Sequence, residues 1–273
     1  MISRLLLLLL IYFTVSYSSI AQQIVNNINT TGTCQQGETE TLESAKKRAL
    51  NIAFENALLK AGISIELRSI YSESNYSLNG NINVFQYWDL QSSFIGGSIL
   101  DYDTILYKPN GFEITAELWG AKVIKYNDHP DPNFTFEIDG LNGSYLSSEP
   151  ISFSFRPSQN GYLYIFTQSN DEISVLYPYE NTISDYLSDK KDVLFLKDEK
   201  TVFPINPAYK PGYSIEMENE ENNSNILLFF LYLKENRHWD SKSISHKQFN
   251  KKVAAISPKD KCLKIYIINL MRK

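Results

Sequence analysis

Alanine recurs at every fourth position through Ala45, Ala49, Ala53, Ala57 and Ala61, and this spacing narrows what the chain can fold into more than any other feature. Residues four apart stack on one side of an α-helix, so the spacing predicts a helix with one small, apolar face. Thr39 or Thr41 supplies an N-cap, Glu43 and Ser44 fall in the first turn, and Gly62 is a natural stop. Leu42, Ile52, Leu58 and Leu59 flank the stripe, while Lys46, Lys47, Glu55 and Asn56 fall toward water. A face made of methyl groups needs a flat surface close beneath the helix backbone. A β-sheet provides one.

Strand signals follow the helix. Ile63 to Leu67 alternates, and Ile82, Val84, Gln86 and Trp88 do so after the Asn79-Gly80 turn. A longer pair, about Phe94 to Tyr107 and Phe112 to Tyr126, is joined by Lys108-Pro109-Asn110-Gly111 as a hairpin. Phe112, Ile114, Ala116 and Leu118 share one face, and Glu113, Thr115 and Glu117 the other. Gly96-Gly97 marks a bulge or bend. Residues 22–33, polar and rich in Asn and Thr, read as a lead-in strand or a loose arm. The expectation for residues 22–126 is a helix packed on an antiparallel sheet. The alanine-rich helix ending in glycine, the stretch Gly97-Ser98-Ile99-Leu100-Asp101-Tyr102 and the strand Phe112-Glu113-Ile114-Thr115-Ala116 resemble the amino-terminal domain of flagellar assembly protein T and related envelope lipoproteins. That resemblance covers about residues 30–126 and implies a fold, not a flagellar role.

Residues 127–133, Asn-Asp-His-Pro-Asp-Pro-Asn, stop any strand or helix, because both prolines lack a donor and restrict the residue before them. They read as a linker. Beyond them come short strands: Phe134 to Ile138, Ile151 to Phe155, Gly161 to Phe166, Ile173 to Tyr177, Tyr213 to Met217 and Ile226 to Leu233. Tyr162 to Phe166 and Ile226 to Leu233 are apolar on both faces, which predicts central strands. A helix from about Ser245 to Ile256 and a strand from Cys262 to Leu270 complete the chain. The fold class is therefore α+β, with a β-sandwich-like second domain over residues 134–273 and one late helix. Within it, Gly161-Tyr162-Leu163-Tyr164-Ile165-Phe166, Val175-Leu176-Tyr177-Pro178, Val202-Phe203-Pro204 and Pro211-Gly212 resemble the family catalogued as domain of unknown function 4384. The likeness spans about residues 134–240, and departs from the family at Asn170-Asp171-Glu172, where a glycine turn is common. It carries no catalytic residues and implies an accessory or recognition role.

The amino terminus sets the compartment. Arg4, the apolar run Leu5 to Phe13 and Ser19-Ile20-Ala21 read as a secretory signal over residues 1–21, with the mature chain starting at Gln22 in the periplasm or outside the cell. The run is about half of the ~20 residues a membrane span needs, and no later run approaches one. The net charge is -5, or -6 once Arg4 is removed, which argues against a nucleic-acid partner. Lys247, Lys251, Lys252, Lys259, Lys261 and Lys264 read as the solvated side of the last helix and strand. An oxidising compartment allows Cys34 and Cys262 to form a disulfide, with two free thiols as the alternative.

No catalytic motif, metal motif or phosphate loop is present, and no cofactor is expected. His129 and His238 read as linker and loop residues. Asp101 and Asp103, two apart on one expected strand, form the only carboxylate pair for acid/base or calcium chemistry, with a solvated strand face as the alternative. Glu216, Glu218, Glu220 and Glu221 could also attract Ca²⁺, but they lack the glycine turn and spaced ligands of an EF-hand loop and read as a solvated turn. Tyr162, Tyr164, Tyr177 and Tyr179 form a binding platform if exposed, and core if not. The reading that results is an exported, non-enzymatic binding or assembly module of the cell envelope with a protein or glycan partner. The alternative is a secreted hydrolase using Asp101 and Asp103.

Overall fold

The computed structural model describes residues 22–63, 96–169, 172–178, 193–205, 213–215, 223–237, 239 and 243–272. The expected strands over 64–67 and 82–88, the export segment, Asp171, Tyr179, Pro211-Gly212, the acidic stretch 216–221 and His238 lie outside the described residues.

The alanine stripe forms its helix. α1 (Leu42–Lys60) begins at Thr41, whose hydroxyl accepts from the Ser44 N–H at 3.2 Å. It ends through Ala61 into Gly62, whose φ of 77° is the left-handed geometry that glycine adopts without strain. Ala45, Ala49, Ala53 and Ala57 are fully buried together with Phe54 and Leu58, whereas Leu42 and Leu59 are exposed.

Beneath α1 lie β1 (Gln22–Gln35), β2 (Gly97–Asp101), β3 (Thr104–Asn110) and β4 (Glu113–Tyr126). β4 is central: β1 pairs antiparallel along one side, while β3 and then β2 share the other. Residues 22–33 are thus a full strand. The expected run ending at Tyr107 is two strands, broken at Tyr102 and Asp103, and the break has a cause across the sheet. Gly120 of β4 stands at φ 66° with its N–H on Asn29 Oδ1 at 2.8 Å, and Asn27 of β1 stands at φ 58° where the register shifts. The Asp103 side chain fills the space that a Cβ on Gly120 would need. These irregularities lie side by side and bend the sheet. The hairpin turn is Gly111 and Phe112, with Pro109 paired opposite Ile114 inside β3.

The close approach that the stripe requires occurs at Gly32. A Cβ there would overlap the Ala49 carbonyl oxygen and the Ala53 nitrogen, so strand and helix backbones are in contact. Polar groups fasten the same seam. Thr30 Oγ1 donates to Ala53 O at 2.8 Å, Asn56 Nδ2 to Thr31 O at 2.7 Å and Lys60 Nζ to Asn29 O at 3.2 Å, and Arg48 donates to Gln35 O. Three carbonyls of this edge strand are therefore engaged by α1 side chains, which blunts it against foreign strands.

The later residues build β5 (Phe136–Asp139), β6 (Ser144–Leu146), β7 (Pro150–Ile151), β8 (Phe153–Pro157), β9 (Gly161–Ser169), β10 (Glu172–Tyr177), β11 (Leu194–Phe195), β12 (Thr201–Phe203), β13 (Tyr213–Ser214), β14 (Asn223–Leu233), β15 (Ser243–Ser245), α2 (His246–Ala254) and β16 (Lys261–Met271). The main sheet runs β15-β10-β9-β14-β16-β6, with β11 also on β9, and only its β16–β6 pairing is parallel. A second sheet runs β12-β8-β5. β9 and β14 bury both faces, as their sequence requires. Leu163, Ile165, Leu228, Phe230 and Tyr232 share a core with Phe136, Phe153, Phe155 and Phe203 of the second sheet. Tyr164, Phe166, Leu227, Phe229 and Leu231 share another with Phe249 and Val253 of α2. The molecule is predominantly β, its sheets antiparallel with one parallel pairing, with α1 packed on the first sheet.

Residues 127–133 run between the two halves but are fastened. Asp128 accepts from Ser257 Oγ at 2.9 Å and Lys259 Nζ at 3.1 Å, and Asp131 from Lys234 Nζ at 2.7 Å.

If backbone contact at Gly32 fixes α1 on its sheet, Gly32→Ala should lower unfolding stability by about 1–3 kcal/mol or more, as overpacking does. Gly143→Ala, where a Cβ meets nothing within 4 Å, should stay near wild type. Denaturant unfolding of the two variants measures both.

Candidate functional site

The four tyrosines do not form one surface. Tyr164 is buried: its hydroxyl donates to Asn236 Oδ1 at 2.7 Å and accepts from the Arg237 N–H at 2.8 Å, and its ring lies against Trp239. Tyr162, half-buried, packs on the same core beneath α2. Tyr177 points to the opposite core, edge-on to Phe195 and Phe203, because the β9–β10 register slips after Val175. Burial holds the Tyr177 phenol well above its ordinary pKa, and among the described residues its hydroxyl meets no hydrogen-bond partner. Tyr179 lies outside the described residues. The shared platform is therefore replaced by two core positions and one flank.

Asp101 and Asp103 are also separated, by the sheet break. Asp101 ends β2, accepts from the Tyr102 N–H at 2.9 Å and pairs with Lys247 Nζ of α2 at 2.5 Å. Asp103 sits past the bend, over Gly120. The hydrogen bond from Lys247 holds the Asp101 carboxyl below its ordinary pKa. A carboxylate with a lowered folded pKa contributes stability above the ordinary carboxylate range and loses it as pH falls. Cys34 and Cys262 are free thiols rather than a disulfide. Cys34 donates to Ala45 O at 3.1 Å under α1, while Cys262 faces Thr135 in the other half, and burial raises both pKa values. His129 is exposed, and His246 is buried in α2 with Nδ1 3.2 Å from Asn250 Nδ2.

Two places gather unabsorbed features. One is the face of the first sheet turned away from α1. Trp119 and Leu106 stand there 45 % and 47 % exposed, among polar pairs: Lys108 with Glu117 at 2.5 Å, Thr33 with Thr115 at 3.1 Å and Gln35 with Glu113 at 3.2 Å. The expected strand alternation places Glu113, Thr115 and Glu117 on this face, and the step from Leu118 to Trp119 puts the indole with them.

The other is the joint at the end of α2. Ser245 caps its start, accepting from the Gln248 N–H at 3.3 Å. At its far end Ala254 packs with Ile124, Tyr126 and Leu100 of the first sheet. A helix leaves its last carbonyls without intrahelical donors. Here Lys261 Nζ donates to Val253 O at 2.8 Å, Tyr126 Oη to Ala254 O at 2.6 Å and Gln22 Nε2 to Ala255 O at 3.1 Å. Two of these three donors come from the first sheet. Lys261 is not solvated as its neighbours led us to expect. It is 3 % exposed and its ammonium lies 4.9 Å from the Tyr126 ring centroid. The sequence signal was the alternation of β16, which places Lys261 on the α2-facing side with Leu263, Ile265 and Ile267. Lys264 also leaves water, donating to Phe136 O across that ring.

Tyr126→Phe, which removes the bond to Ala254 O and the longer 3.5 Å contact from Lys261 Nζ, should cost about 1 kcal/mol or more of stability. Tyr177→Phe should instead be neutral or stabilising by up to about 1–2 kcal/mol, because it deletes a buried hydroxyl with no partner. Chemical denaturation of the two variants beside the wild type separates these opposite signs. No family model matches this chain and no curated protein matches it.

Proposed function

We propose that this chain is an exported, non-enzymatic binding or assembly module of the cell envelope, and that it meets a protein or glycan partner through the outer face of its first sheet. The observation that carries the reading is the exposed pair Trp119 and Leu106 on a strand face otherwise made of Thr, Glu, Gln and Lys side chains. An indole flanked by hydrogen-bonding groups suits a sugar ring or a peptide, because it offers apolar area and a polar tip at low entropic cost. Export is supported by Arg4, the run Leu5 to Phe13 and Ser19-Ile20-Ala21. An accessory role is supported by the likeness of Gly161 to Phe166 and Val175 to Pro178 to domain of unknown function 4384, and an envelope setting by the likeness of the first half to flagellar assembly protein T and its lipoprotein relatives.

The second half is read as a β-sandwich-like domain. Support comes from the rings that interlock between its two sheets: Phe153 stands edge-on to Phe230 at 5.1 Å and Phe155 edge-on to Tyr232 at 5.3 Å, while Phe153 stacks on Phe203 within its own sheet at 5.2 Å. No disulfide contributes to it.

Two measurements test the proposal. The mature chain recovered after secretion should begin at Gln22 on amino-terminal sequencing, and a retained residue 1–21 segment would remove the export assignment. The wild type should capture a partner from envelope extract or bind a cell-wall glycan, and Trp119→Ala should weaken that binding tenfold or more, on the order of an interface anchor's share. Undiminished binding by Trp119→Ala would move the contact surface elsewhere.

A further inference from the structure

We infer that the joint between the first sheet and α2 is proton-linked: closing it carries Lys261 into the seam with Tyr126, and acidification loosens it by requiring a charge there. The inference stands apart from the proposed binding role. Its ground is the geometry of three capped carbonyls. Gln22 and Tyr126 can reach Ala255 O and Ala254 O only when the sheet lies against the turn after α2. In that position the Lys261 ammonium is enclosed by Val253 O, the Tyr126 hydroxyl at 3.5 Å and the Tyr126 ring. Drawing the sheet away takes Tyr126 off the ammonium and gives that side to water.

Opposing effects act on the enclosed amine. The helix carbonyl end and the aromatic ring favour its charge, and removal from water disfavours it. Burial wins, pulling its pKa down to about 7. The sign of the linkage follows. Above pH 7 the closed joint holds the amine neutral, while an opened joint, with lysine near its ordinary value of about 10.4, still holds the proton. Closure therefore releases a proton and strengthens as pH rises from about 7 toward about 10; below about 7 both forms are charged and the dependence ends.

The titratable and charged groups bordering the seam are Lys122 and Tyr126 on β4, Asp101 on β2, Asp128 and His129 in the connecting segment, His246, Lys247, Lys251 and Lys252 on α2, and Lys259 and Asp260 after it. Asp101 is lowered by its bond from Lys247, and Asp128 by its bond from Ser257 and then Lys259, so both are ionised throughout this range. The raised thiols of Cys34 and Cys262 act with the opposite sign, but on global unfolding rather than on the joint.

Amide hydrogen exchange of the full chain at pH 7.5 and 8.5, corrected for intrinsic exchange, tests the inference on peptides covering residues 122–126 and 246–256. Protection of these peptides should rise about tenfold across the unit, the factor for one linked proton, and should stay level in Lys261→Met. A level wild-type profile, or an equal rise in Lys261→Met, would overturn the inference. If Lys261→Met does not fold, the wild-type seam peptides still decide it.

Discussion

The last carbonyls of α2 draw donors from outside the helix, and the buried one among them, Ala254 O, takes its donor from the first sheet. Tyr126 and Gln22 belong to the ends of β4 and β1, paired with each other in the first sheet. Each donates to a carbonyl in the second half, and Lys261 donates to a third from beside them. An unmade hydrogen bond in a buried site costs more than a made one contributes. That rule bears most on Tyr126, whose bond to Ala254 O is buried; Gln22 meets Ala255 O at an exposed edge, and Val253 O also accepts from the Ile256 N–H at 3.2 Å. Lys247 with Asp101, and Ser257 and Lys259 with Asp128, fasten the flanks of the same joint.

α2 consequently serves two layers. Its Phe249 and Val253 cover the main sheet, and its Ala254 meets the first. The main sheet in turn has no open face over β9 and β14, since one side carries α2 and the other the β12-β8-β5 sheet. Tyr164 and Tyr177, two of the expected platform tyrosines, pack into these cores. The face proposed for recognition is the outer side of the bent first sheet, where Trp119 follows the inward Leu118.

Much of this was legible in the residues. The alanine spacing specified α1 and its closeness to a sheet, and the two-sided apolar runs specified β9 and β14, because local periodicity and burial agree there. The break between β2 and β3 was not legible. It arises from Gly120, Asn27 and Asp103 acting across three strands, and a glycine inside an alternating run does not announce which neighbour it bends. Asp101 and Asp103, expected on one straight strand, fall on either side of that break, Asp101 bonded to Lys247 and Asp103 over Gly120. Tyr177 left its expected partners because a register slip after Val175 turned it to the other core. Lys261 was misread as one more surface lysine, since a run of six lysines conceals the one whose strand parity points inward.

The central claim is that the capped end of α2 couples the two halves into one cooperative structure. Trp119 reports the first sheet and Trp239, edge-on to Phe166 in the α2 core, reports the second half. Unfolding in denaturant should therefore be followed in Trp88→Phe/Trp239→Phe, which keeps Trp119, and in Trp88→Phe/Trp119→Phe, which keeps Trp239. Coincident midpoints are the expected result, since coupled halves lose structure together. Two separated transitions, with one indole released while the other stays folded, would contradict it.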